Sequence, residues 1–303
     1  MTASYTARLA RRAQDAPFAL CAGIDPAPQS LALLEAGVPA TAPGRATRVT
    51  RAGAIERFAG LIIESVRDHA VAIKPQVAWF EAAGAPGIRA LERTVAFART
   101  AGLLVVLDAK RGDVPHTANA YADAWLGEDA ASGIGGDALT VNASVGMDSM
   151  LAMAAVAAER QCALYALLHT SNPGAAALQA VELATHEPWW HMLARELQQV
   201  DASVGGGVVG AVVGATRPEV VGQARALLPA APLLLPGIGA QGGEVADLAA
   251  SAPGTAPTSL VPMSRSLLPT QLSSVGAFRF AVDAAAGRAA AGVAHVGART
   301  TLR

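Results

Sequence analysis

Eight short apolar runs, each followed by a longer segment of helical character, constrain the fold of this chain most strongly. The runs lie at residues 18–25, 70–74, 103–108, 138–142, 163–169, 208–215, 233–238 and 259–263. They are rich in Val, Leu, Ile and Ala and are bounded by Gly, Pro, Asp or Asn. Runs without polar alternation suit strands that are covered on both faces, as in a parallel sheet. Helix-like stretches at 54–68, 87–100, 117–126, 147–159, 189–200, 217–228 and 242–250 separate them, and one at 274–290 follows the last. Eight such units predict a closed (β/α)8 barrel of the α/β class. An open doubly wound sheet is the rival. No Gly-x-Gly-x-x-Gly follows the first run, which weakens a dinucleotide-binding version of it.

The 303 residues exceed the roughly 250 of a bare barrel, leaving room for insertions. We expect one barrel domain over 1–303, with an inserted loop at about 26–53 and a loose tail at about 292–303. Gly205-Gly206-Gly207 lacks a following Lys-Ser/Thr and reads as a loop into strand six rather than a P-loop. Residues 2–15, with Arg8, Arg11 and Arg12, read as a first helix packed on the body rather than a targeting segment.

Composition narrows the function. Net charge is -1 and aromatic residues make up 4%, so neither a basic excess nor a stacking platform points to nucleic acid. No apolar run approaches the roughly 20 residues that cross a bilayer. Cys21 and Cys162 lack Cys-x-x-Cys spacing and sit in apolar runs, as expected of buried thiols in a reducing, cytoplasmic setting. The histidines show no His-Glu-x-x-His spacing and there is no Gly-x-Ser-x-Gly, so no metal site or serine nucleophile is predicted.

Barrel chemistry sits at the C-terminal ends of the strands. Polar residues end several runs here: Asp25, Lys74, Asp108 with Lys110 and Asp113 behind it, His169 followed by Thr170-Ser171-Asn172, and Ser264-Arg265-Ser266. A lone aspartate there is usually a helix cap, and a lone lysine is usually solvated. Several converging on one barrel mouth imply a site. Asp108 and Lys110 are two apart and share a face of an extended strand. Gly112 then permits a turn that re-aims Asp113. An ammonium held between carboxylates stays protonated and can donate to a carbanion; a structural ion pair under the rim is the alternative. After run seven, Gly239-Ala240-Gln241-Gly242-Gly243 offers backbone N–H groups at a helix start, which suit a phosphate. Arg265 could clamp that phosphate bidentately. Turn glycines beside a surface arginine are the alternative.

Asp108-x-Lys110-x-x-Asp113 followed by Thr117 resembles the signature of the orotidine 5′-phosphate decarboxylase family. Gly23-Ile24-Asp25-Pro26, Ile73-Lys74-Pro75, Thr170-Ser171-Asn172-Pro173-Gly174 and the turn at 236–243 match it in the same order. The fuller Leu107-Asp108-Ala109-Lys110-Arg111-Gly112-Asp113 resembles its longer bacterial branch. Residues 26–53 match nothing in the pattern. Asn142-Ala143-Ser144 lacks the Pro-Tyr expected after that asparagine, so no role passes to Asn142.

The resemblance implies decarboxylation of a nucleoside monophosphate substrate in pyrimidine biosynthesis, with no cofactor and no metal. It implies a homodimer with shared active sites. Lys74 and Asp108 would form a charged network with Lys110, the proton donor to C6. Asp25 would bind the ribose and Ser171 the pyrimidine. Gln241, Gly242 and Arg265 would hold the phosphate. Asp113 and Thr117 would reach the neighbouring subunit's site. The rivals are a related Mg-dependent sugar-phosphate lyase or decarboxylase, a Schiff-base aldolase using Lys110, and a non-catalytic phosphate-binding barrel.

Overall fold

On β1 (Phe18–Ile24), Phe18, Leu20, Ala22 and Ile24 join one apolar cluster, while Ala19 and Cys21 join another. The same split separates Val105 and Leu107 from Leu104 and Val106 on β3 (Leu104–Arg111). Alternate strand residues face opposite sides of a sheet, so the first cluster lies between sheet and helices and the second fills the sheet's enclosed interior. The computed structural model describes residues 3–35, 47–127, 133–239, 242–251, 258–270 and 274–300.

The other strands are β2 (Ala72–Pro75), β4 (Ala138–Val141), β5 (Ala163–His169), β6 (Val209–Val213), β7 (Leu233–Leu234) and β8 (Ser259–Met263). Each pairs in parallel with the next, and β8 returns to β1 through Phe18 opposite Ser259. The sheet is a closed (β/α)8 barrel, and the open-sheet rival falls.

In chain order the helices are α1 (Tyr5–Arg12), α2 (Pro28–Glu35), α3 (Arg48–Val66), α4 (Val77–Glu81), α5 (Gly84–Thr100) and α6 (Pro115–Trp125). They continue with α7 (Met147–Glu159), α8 (Ala176–Gln179), α9 (Trp189–Ser203), α10 (Pro218–Leu227) and α11 (Val275–Thr300). No helix among the described residues is long and apolar enough to cross a membrane.

Three expectations change. The segment read as a loop at 26–53 contains α2 and the start of α3, whose Thr47 cap accepts the Thr50 N–H at 3.2 Å; residues 36–46 lie outside the described residues. The helix read at 242–250 is a 3-10 helix, Val245–Ser251. The tail read as loose from 292 continues α11 to Thr300. Alanine-rich sequence without proline favours that helix, and buried Val293 ties it to the core.

Small residues inside the strands shape the barrel's lower end. Ala19, Ala72, Ala138 and Ala163 leave room that Tyr165 of β5 and Tyr5 of α1 fill. The two rings meet edge to face with centroids 6.1 Å apart, and their hydroxyls hydrogen-bond at 3.0 Å. Arg8, three residues on, pairs with buried Asp137, which also accepts the Val105 N–H at 2.8 Å. Helix α1 thus closes the floor and leaves the opposite mouth for the site.

Candidate active site

Strand parity sends three polar side chains to the mouth. Lys74 is two residues beyond interior Ala72, Asp108 two beyond Val106, and Thr140 two beyond Ala138. All three are buried. The Asp108 carboxylate gathers four donors. Its Oδ2 accepts from Lys74 Nζ at 2.5 Å and Gln76 Nε2 at 3.1 Å. Its Oδ1 accepts from Lys110 Nζ at 2.5 Å and Thr140 Oγ1 at 3.0 Å.

Burial alone would raise the Asp108 pKa, but the Lys74 and Lys110 ammoniums and their hydrogen bonds outweigh it and hold the carboxyl far below its ordinary range. Burial alone would lower the Lys74 pKa; Asp108 and Asp25 outweigh it and raise that pKa above its usual value. Asp108 and Lys74 are therefore both ionised across the neutral range.

Lys110 reaches Asp108 by leaving strand geometry. Its φ is +51°, in the left-handed region, and the β3–β4 register shifts between Leu107 and Arg111. The expected turn at Gly112 therefore falls at Lys110. Gly112 serves another end: a Cβ there would lie 2.5 Å from the Asn142 carbonyl oxygen.

A cavity of about 830 Å³ opens at the mouth, lined by Asp25, Lys74, Gln76, Trp79, Asp108 and Arg265 among others. Arg265 is exposed at the start of a 3-10 turn after β8, and no hydrogen bond or ion pair ties its side chain to another described residue. It is a cation available to an anion on the side of the cavity formed by β7 and β8. Gly237, Gly239 and Gly242 of the neighbouring turn adopt positive φ. Yet the Gly239, Gly242 and Gly243 N–H groups donate within the turn, to Gly243, Gly239 and Gly237 carbonyls. The helix-start phosphate cradle read from these glycines is thus absent at those three donors. Gly242 remains exposed beside the turn, and Gln241 lies outside the described residues.

The structure brings together Asp25, Lys74, Asp108, Lys110 and Arg265. It places Ser171 in a second, smaller cavity of about 70 Å³ with His169, Thr216 and Arg217. Asp113 and Thr117 line neither cavity; Asp113 Oδ1 caps the Val114 N–H at 2.7 Å. Sequence reasoning missed Gln76 and Thr140. Both follow from the parity that placed Lys74 and Asp108, since each lies two residues beyond an interior position.

The fold and its charged mouth define a (β/α)8-barrel enzyme with a preorganised lysine–aspartate array. Residues 20–267 match the orotidine 5′-phosphate decarboxylase / HUMPS family, and the chain belongs to it. An orotidine 5′-phosphate decarboxylase of Deinococcus radiodurans is 41% identical over 223 residues, 72% of this chain and 78% of that protein. One of Salinispora arenicola is 37% identical over 282 residues, 92% and 95% of the two chains. The structure of Leishmania donovani OMP decarboxylase shares 27% identity, covers 97% of this chain and 98% of its own, and superposes with a TM-score of 0.73.

Proposed function

We propose that this chain converts orotidine 5′-phosphate to uridine 5′-phosphate in pyrimidine biosynthesis, without cofactor or metal. The observation that carries this reading is the Asp108 carboxylate locked between the Lys74 and Lys110 ammoniums on the wall of the cavity that holds Arg265. The names of its relatives agree with it.

The C6–carboxylate bond breaks heterolytically, its electron pair stays on C6, and carbon dioxide leaves. No pyridoxal or thiamine ring serves as electron sink in this reading. Stabilisation comes from fixed charge instead. Lys110 Nζ delivers a proton to C6 as the pair develops, and the resulting neutral amine regains a proton from solvent. Asp108 holds Lys110 in place and sets a negative charge beside the departing carboxylate. Arg265 takes the 5′-phosphate, and that remote binding energy is used at the reacting carbon. Asp25 binds the ribose, and Ser171 reaches the pyrimidine from the β5 side. By the family resemblance Gln241 also contacts the phosphate, while the Gly242 N–H, which donates to the Gly239 carbonyl, does not.

The active form is a homodimer in this proposal. In it, Asp113 and Thr117 serve the site of the second copy, as the family resemblance implies. Buried free Cys21 and Cys162 suit a cytoplasmic enzyme. The Mg-dependent lyase reading is disfavoured by the donor set, because both Asp108 oxygens already accept hydrogen bonds from four groups. The test is loss of orotidine 5′-phosphate absorbance with purified protein and excess chelator. Turnover that survives the chelator supports the proposal. Absent turnover, or turnover restored only by Mg²⁺, overturns it.

A further inference from the structure

We infer that Thr140 is a positioning residue for the proton donor, acting through its single hydroxyl; this rests on the reaction proposed above. Thr140 sits on β4 and is 1% exposed. Its Oγ1 accepts the Lys110 backbone N–H at 3.0 Å and donates its own hydrogen to Asp108 Oδ1 at 3.0 Å. One hydroxyl therefore joins the backbone of the lysine to the side chain of its carboxylate partner.

The need for this link follows from the backbone. From Leu107 to Arg111, four steps along β3 span only two along β4, from Leu139 to Val141. Lys110 lies in that bulge with φ at +51°. A residue with a Cβ occupies that region at a cost, and it persists where surrounding contacts over-determine it. The bulge removes Lys110 from the regular ladder, so its N–H depends on a side-chain acceptor, which Thr140 supplies. Without that acceptor, β3 is free to relax toward regular strand pairing. Such a shift would carry the Lys110 ammonium away from Asp108 and from C6. Thr140 does not line the substrate cavity, so its influence reaches substrate through Lys110 and Asp108.

The hydroxyl, not the volume, is the active part of this residue. Thr140→Val keeps the shape and removes the hydrogen bonds; Thr140→Ser keeps the hydroxyl. The experiment measures kcat and KM for orotidine 5′-phosphate, the Kd of uridine 5′-phosphate, and the circular dichroism of wild type and both variants. We expect Thr140→Val to fold and to lose about 10²-fold in kcat, as for a misplaced catalytic group. Its KM and product Kd should stay within about threefold, and Thr140→Ser should retain kcat within about fivefold of wild type. A Thr140→Val enzyme with wild-type kcat overturns the inference. So does an equal kcat loss in Thr140→Ser, or a parallel loss of product binding, either of which marks a purely structural residue. If Thr140→Val does not fold, Thr140→Ala replaces it under the same criteria, and a Thr140→Ala chain that also fails to fold overturns the inference. An inactive wild type removes the proposed reaction itself, whereas an active wild type with an unimpaired valine variant removes only the role of Thr140.

Discussion

The Lys110 ammonium lies 2.5 Å from the Asp108 carboxylate even though the lysine backbone leaves strand geometry at φ +51°. Lys74 approaches the other carboxylate oxygen at the same distance from an ordinary strand position. The two lysines are unlike in setting: the Lys74 side chain is 10% exposed and that of Lys110 is 45% exposed. That division suits an anchoring charge below and a proton donor at the open face.

The buried Lys74–Asp108 pair should contribute to stability in a defined pH window. The Asp108 pKa is depressed, so its contribution is present above its ordinary value of 3.8 and fades as pH falls toward the folded value. The Lys74 pKa is raised, so its contribution is present below 10.5 and fades as pH rises through the folded value. Lys74→Met should cost about 3 kcal/mol near neutral pH, the low end for breaking a buried pair because Asp108 keeps Lys110. Urea unfolding at several pH values measures this. The difference from wild type should be flat between about pH 5 and 10 and shrink outside it. A difference independent of pH throughout would assign the loss to packing.

Substituting Arg265 tests whether phosphate binding can be separated from chemistry. Arg265→Ala should cut kcat/KM for orotidine 5′-phosphate by at least about 10²-fold. The nucleoside orotidine, which lacks the phosphate, should be a very poor substrate for wild type and nearly indifferent to the substitution. Steady-state kinetics with both compounds decides the matter. Equal losses on the two substrates would make Arg265 structural.

Subunit mixing tests whether Asp113 serves the neighbour. Lys110→Ala and Asp113→Ala homodimers should each be nearly inactive. After subunit exchange in equal amounts, about half the dimers are hybrids if pairing is random. One site of each hybrid then combines an intact Lys110 with an intact Asp113 from the other chain. Activity should rise toward about a quarter of wild type. If exchange is confirmed by mass-tagged subunits and no activity returns, both residues act within one chain.

The barrel is legible because its strands are buried along most of their length and its interior obeys a period of two. That period also marks which polar residues reach the mouth, hence Lys74 and Asp108. The Asp108–Lys110 contact was read from the same spacing, but the route to it was not. The bulge that sets Lys110 at positive φ depends on Thr140, 30 residues further along, and no local pattern encodes that partner. The demand on Gly112 comes likewise from a tertiary approach, to Asn142, and not from a turn. The glycines at 237–243 mark a turn correctly, but which N–H groups it keeps for itself is a matter of hydrogen-bond closure that composition does not carry. At the other end, the sequence after residue 292 reads as featureless until Val293 is seen against the core.

If Lys110 is the proton donor, turnover of orotidine 5′-phosphate, followed by absorbance with excess chelator, should separate wild type from folded Lys110→Ala protein. Lys110→Ala leaves the Lys74–Asp108 pair and the Tyr5–Tyr165 floor in place, so its circular dichroism should match wild type. Wild type should turn over, and the variant should lose at least about 10²–10⁴-fold in kcat. Near-normal turnover by a folded Lys110→Ala protein would contradict the account.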